Sequence, residues 1–147
     1  MWDKNITQYD SESYKNEVAD GTTWLAQAYN GDALQQMELK EDLGFFLPVE
    51  GTSLWMDSMV ILKSSQNKEL AYEFLNFLLD AENARKNADY VMYATPNAEA
   101  YKMQDPAFTG NPLIYPPAEY LDKCQMIEFL GDRIKPLNDL FEQIRMN

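Results

Sequence analysis

Apolar positions along the chain follow two periods, one helical and one strand-like. Between residues 68 and 79, Leu70, Ala71, Phe74, Leu75, Leu78 and Leu79 recur at helical spacing, with Asn67 or Ser65 available as the cap. A second helical stripe, Ile134, Leu137, Leu140, Phe141 and Ile144, predicts a helix over 132–146, where Pro136 is tolerated because it falls in the first turn. Shorter helices are expected over 11–20, where Tyr14 and Val18 lie four apart and Gly21 ends the element, and from Asp32 as cap to about Leu39. Asp80 is placed to cap a helix through Ala88, Asn97 to start a further turn, and Pro116-Pro117 to open a helix through Lys123. Residues 105–117, with four prolines and a glycine, read as loop.

The strand-like segments lie between these helices. Residues 22–29 set Trp24, Ala26 and Ala28 against Leu25, Gln27 and Tyr29, and Phe45-Phe46-Leu47 before Pro48 forms a short apolar run. Residues 54–62 begin with alternation and end in the continuous Met59-Val60-Ile61-Leu62, the pattern of a strand buried on both faces. The helix over 68–79 is expected to pack on that strand. Strands alternating with helices give an α/β fold class.

Composition narrows what such a fold could do. The 147 residues are 46% hydrophobic and 13% aromatic, enough to build a core. Twenty-four acidic against 12 basic residues leave a net charge of −12, a field that disfavours nucleic acid and anionic membranes and attracts small cations, though it also serves solubility. A single cysteine, Cys124, excludes an internal disulfide, and without histidine the usual zinc sites lack their main ligand, so neither metal nor cofactor is expected. With no histidine base, no activating partner for Cys124 and no glycine-rich phosphate loop, the expectation is that the chain is not an enzyme. No apolar run reaches the roughly 20 residues that span a bilayer.

Candidate chemistry centres on Ser53-Leu54-Trp55-Met56-Asp57-Ser58-Met59. On a strand, Trp55 and Asp57 project to the same side, which gives a protonated amine both a carboxylate and an aromatic face, the latter worth about 0.5 to 2 kcal/mol. Spacing alone favours the other reading, a core tryptophan beside a solvated strand edge. Tyr29 and Tyr93, each next to a chain reversal at Asn30-Gly31 or Thr95-Pro96-Asn97, are candidate cage walls or packing residues.

Five stretches, taken in order, add to this reading. They are Tyr29-Asn30-Gly31-Asp32-Ala33; Pro48-Val49-Glu50-Gly51 with Leu54-Trp55-Met56-Asp57-Ser58-Met59; Asn67-Lys68-Glu69 through Asn76-Phe77-Leu78-Leu79; Tyr93-Ala94-Thr95-Pro96-Asn97; and Ile114-Tyr115-Pro116 with Ala118-Glu119. Together they resemble the spermidine/putrescine-binding proteins of bacterial ABC importers. The resemblance implies a periplasmic-binding-protein-like (type II) fold, a mixed sheet flanked by helices, truncated relative to a two-lobed form that closes over a polyamine and hands it to membrane permease subunits. By the same resemblance, Trp55, Tyr93 and Tyr29 are aromatic walls, Tyr29 standing where a tryptophan is usual, and Asp57 pairs with an amine. Ile127 falls where a glutamine is expected, which leaves Gln125 or Glu128 as the polar contact.

The resemblance also implies a division of the chain. Residues 1–54 and 101–147 would form the carboxy-terminal lobe, and 55–100 would complete the amino-terminal lobe, whose own half this sequence lacks. The parent protein is expected to be exported to the periplasmic or extracellular face of the membrane, with lipid anchoring and permease fusion left open, and the fragment, with apolar surface uncovered, is expected to self-associate. Two alternatives stand beside polyamine transport: the same fold serving another small solute, and an interaction domain whose aromatics are simply core.

Overall fold

The computed structural model describes residues 5–145. Its elements follow in the order α1 (Tyr14–Asp20), α2 (Asn30–Leu39), β1 (Ser53–Leu54), α3 (Lys68–Leu79), α4 (Ala81–Val91), α5 (Ala98–Met103), α6 (Pro106–Thr109), α7 (Ala118–Leu121), β2 (Gln125–Met126), a 3-10 turn (Gly131–Arg133) and α8 (Ile134–Arg145). The long periodic segments form helices where the pattern places them, and α3 spans Lys68–Leu79 as expected.

Local chemistry fixes several boundaries. Gly21, at φ 83°, takes the left-handed conformation that ends α1. The Asp80 carboxylate accepts the amides of Glu82 and Asn83 and starts α4, which runs three residues beyond the expected end at Ala88, to Val91. The Asn97 side chain accepts the amides of Glu99 and Ala100 and starts α5. One cap is corrected: α2 begins at Asn30 with Tyr29 as its cap, and Asp32 lies inside the first turn with its carboxylate engaged elsewhere. Residues 105–117 hold the single-turn α6, capped by Asp105, and α7 stops at Leu121 rather than Lys123.

The strand expectations need the larger correction. Residues 22–29, 45–47 and 55–62 form no strand, and the sheet among the described residues is one parallel pair, Ser53 opposite Gln125 and Leu54 opposite Met126. A strand requires a neighbour to receive its amides and carbonyls, and these segments find none within the described chain. The paired β2 had no expected element in its place. α3 consequently has no sheet to pack on, and Leu70, Phe74 and Leu79 are more than half exposed.

What core exists gathers α1, α2, α4, α5 and the 111–115 segment, through Tyr14, Leu34, Ala88, Ala100 and Ile114. Polar ties cross it. The buried Gln104 amide donates to Asp89 Oδ1 at 2.8 Å and accepts the Tyr115 hydroxyl at 2.7 Å, while Tyr115 Oη accepts the Thr95 amide at 3.1 Å. Asn30 Nδ2 donates to the Leu113 carbonyl, and Gln35 Nε2 to the Val91 carbonyl. Elsewhere the chain is open. Its 12124 Å² of accessible surface is more than half again the roughly 7,700 Å² expected of a closed 17.0 kDa domain.

Candidate functional site

Three rings meet at the edge of this core. Trp55 packs edge-to-face between Tyr29, with centroids 5.6 Å apart and planes at 80°, and Tyr93, at 5.3 Å and 77°. These are favourable aromatic geometries, and they leave Trp55 37% and Tyr29 46% exposed, so ring surface remains open to solvent. The indole is the centre of the cluster, and each tyrosine flanks it from a different element.

Each ring is delivered by its backbone. Tyr29 caps α2 in extended conformation. Trp55 follows directly after β1, which β2 holds through Gln125 N–H to Thr52 O and Ile127 N–H to Leu54 O, both 3.0 Å. The approach of β2 depends on the turn before β1, where Gly51 at φ 100° lies so close to the Lys123 carbonyl that no side chain fits, and where the Tyr120 hydroxyl donates to Pro48 O at 2.8 Å. Tyr93 follows Met92, whose φ of 59° turns the chain out of α4 at a cost of about 1–2 kcal/mol. The turn lays the Tyr93 ring over Gly31, where a Cβ would sit 2.5 Å from ring carbon Cε2, so only glycine admits the ring.

Beneath the rings lies a residue whose role the sequence pattern did not reveal. Asp32 Oδ2 accepts the Tyr14 hydroxyl at 2.9 Å and the Lys15 ammonium at 3.3 Å, and Asp32 Oδ1 accepts the Tyr93 hydroxyl at 3.2 Å. Tyr14 Oη in turn accepts the Tyr29 amide at 3.2 Å. Burial first, then the adjacent Asp32 carboxylate, pushes the Tyr14 hydroxyl up to about 12 and raises that of Tyr93 further, so both stay protonated donors at neutral pH. The only sequence signal was that an aspartate after Asn-Gly reads as a cap, which hid this second use of its carboxylate.

The remaining candidates are not gathered into the cluster by any direct contact. Asp57 lies two residues past Trp55, exposed and outside any strand, so the same-face relation expected from strand spacing is not imposed by a ladder. Gln125 pairs with Ser53 in β2, and Glu128 follows Ile127; both side chains are exposed, as is Ile127 beside the start of the Trp55 segment. A surface recess of about 520 Å³ at the start of α3, lined by residues 65–70, holds none of these candidates. Among the described residues no group of three or more acidic or cysteine side chains is arranged to hold a metal, and no helix is long and apolar enough to cross a membrane.

Comparison with known proteins places the chain. The family model described as bacterial extracellular solute-binding protein matches residues 1–116. The spermidine/putrescine-binding periplasmic protein of Escherichia coli strain K12 is 32% identical over 141 residues, covering 96% of this chain and 40% of that protein. A putrescine/cadaverine-binding protein of Pseudomonas aeruginosa is 32% identical over 145 residues, covering 94% of this chain and 41% of that one. Two solved structures superpose well. One, from Listeria monocytogenes and provisionally titled a spermidine/putrescine ABC transporter, gives a TM-score of 0.82 at 36% identity; the substrate-binding protein of that transporter type from Streptococcus pneumoniae, solved with calcium and HEPES, gives 0.74 at 31%. Each covers 91% of this chain and 42% of the neighbour. The chain thus spans about two fifths of the length of the relatives it matches, and its fold is a truncated part of their α/β architecture. By the match over residues 1–116, it belongs to the bacterial extracellular solute-binding protein family.

Proposed function

We propose that this chain is the carboxy-terminal portion of the substrate-binding component of an ABC importer for a polyamine, with Tyr29, Trp55 and Tyr93 forming an aromatic wall for the alkyl chain and its ammonium ends. The ring cluster carries the proposal: three edge-to-face aromatics with open surface offer stacking and cation–π attraction, and the net charge of −12 favours a cationic ligand over an anionic one. Asp57 is the carboxylate for one ammonium, and Gln125 or Glu128 the polar contact at the other end. Residues 1–54 and 101–147 belong to the carboxy-terminal lobe and 55–100 to the other, with ligand contacts to both favouring closure. The chemistry stops at binding and delivery to membrane permease subunits at the periplasmic or extracellular face; the names of the relatives support this reading.

Calorimetric titration with spermidine and putrescine, in the longest polypeptide that carries this sequence, tests it. Asp57→Asn should weaken binding about tenfold or more, the loss expected for one charge-assisted hydrogen bond. Affinity unchanged by that substitution, or heat from a neutral sugar in place of the amines, would overturn it. For the chain by itself, the exposed apolar faces of α3 and α8 drive pairing with a second copy, since the excess surface exceeds the roughly 1,200–2,000 Å² of a stable interface. Sedimentation velocity that stays monomeric across concentrations refutes that pairing.

A further inference from the structure

The ring cluster is held from below by one carboxylate. We propose that Asp32 is the positioning residue of the aromatic wall, fixing Tyr93 directly and Tyr29 through Tyr14 on either side of Trp55. The proposal rests on the reading of Tyr29, Trp55 and Tyr93 as a ligand wall, and adds a residue that neither spacing nor resemblance selected.

The geometry is specific. Asp32 uses both oxygens, Oδ1 for the Tyr93 hydroxyl at 3.2 Å and Oδ2 for the Tyr14 hydroxyl at 2.9 Å. The Tyr14 oxygen carries the tie onward by accepting the Tyr29 amide at 3.2 Å, at the residue that starts α2. Lys15 lies 3.3 Å from Oδ2, so the half-buried carboxylate has a cationic partner. Gly31, one residue earlier, clears the space over which the Tyr93 ring lies. The Asn30-Gly31-Asp32 segment therefore supplies the turn, the clearance and the anchor together.

A carboxylate here does what a neutral residue could not. Two phenols converge on it as donors, and an anion accepts both without an unsatisfied donor, whereas an amide offers a single acceptor oxygen. Without that bond the Tyr93 ring is held by packing alone, on Gly31 and Trp55, and a wall that must be ordered on binding costs affinity. Asp32 need not touch the ligand.

The experiment compares Asp32→Asn, Tyr93→Phe and the double substitution, with quenching read in the 147-residue chain in the Trp2→Phe/Trp24→Phe background, where Trp55 is its remaining indole, and affinity read in the longest polypeptide that carries this sequence. Acrylamide quenching of Trp55 and spermidine affinity are both read, with far-UV circular dichroism as the folding control. Asp32→Asn and Tyr93→Phe should each raise quenching and weaken spermidine binding about tenfold, the worth of one hydrogen bond to a charged group, and the double should match the larger single effect. Asp32→Glu should restore part of the affinity. Independent, additive effects, or Trp55 quenching unchanged in Tyr93→Phe, overturn the proposal; the second result decides even where Asp32→Asn fails to fold, because Tyr93→Phe keeps the ring. If no variant, wild type included, binds spermidine, the ligand assignment fails while the quenching comparison still decides the role of Asp32.

Discussion

The strand-like segments 22–29, 45–47 and 54–62 are richer in apolar residues than the helical region around α2, α4 and α5, yet only the helical region builds a core. Leu34, Ala88 and Ala100 are 5%, 3% and 0% exposed, while Leu25, Phe46 and Val60 are 77%, 67% and 79% exposed. A helix satisfies its backbone hydrogen bonds from within four residues, so it forms once a single flank is packed. A strand depends on neighbours from elsewhere in the chain, and among the described residues Ser53-Leu54 finds one in Gln125-Met126 while the rest of these segments find none. Apolar patterning therefore marks which residues are destined for burial without saying whether the chain in hand supplies the cover.

The sharpest test of this contrast is a pair of truncations. Leu34→Ala should cost about 2–4 kcal/mol in equilibrium urea unfolding, whereas Val60→Ala should change stability by less than about 0.5 kcal/mol. Equal costs would mean that the 54–62 segment is packed after all. The same helical region also holds the buried phenols. Tyr14 and Tyr93 have hydroxyls raised above their unfolded value of 10.0, so the stability they lend is complete below pH 10 and is lost as pH rises toward about 12, where Tyr14 ionises. Thermal unfolding followed from pH 8 upward should show a steep alkaline loss in wild type and a shallower one in Tyr14→Phe.

Smaller effects refine the boundaries. Asp80→Ala and Asn97→Ala, which remove side chains accepting two amides each, should each cost about 1 kcal/mol, while Asn67→Ala, whose side chain makes no cap bond at α3, should cost less. A loss at Asn67 as large as at Asp80 would show that the α3 start is held differently from the α4 start. The smallest change is expected at the exposed Lys86–Glu82 pair, 2.8 Å apart, where Lys86→Ala should lower stability only slightly at low salt and by nothing measurable at high salt.

Of the fold, the helices were legible because their signals are local: the stripe of α3, the caps Asp80 and Asn97, and Gly21 each act within a few residues. The strands were overread for the opposite reason, since alternation at 22–29 and 54–62 describes a surface suited to a sheet without providing the sheet. Of the candidate site, the aromatic residue types and the glycine beside them could be named from the sequence. Their meeting could not, because Tyr29 and Tyr93 are separated by 64 positions and come together through the packing of α2 against the end of α4 and the ties of Trp55 and Asp32.

The sequence by itself thus determined the positions of the longer helices, the absence of histidine from these 147 residues and the identity of the three rings. Tertiary structure alone decided that Trp55 lies between Tyr29 and Tyr93, that Gly31 must lack a side chain to admit the Tyr93 ring, and that Asp32 is an anchor rather than a cap. The physical reason is range. Caps, turns and periodicity are set by neighbours within one or two turns of chain, whereas a carboxylate that gathers Tyr14 and Tyr93 acquires its role only when distant segments fold together.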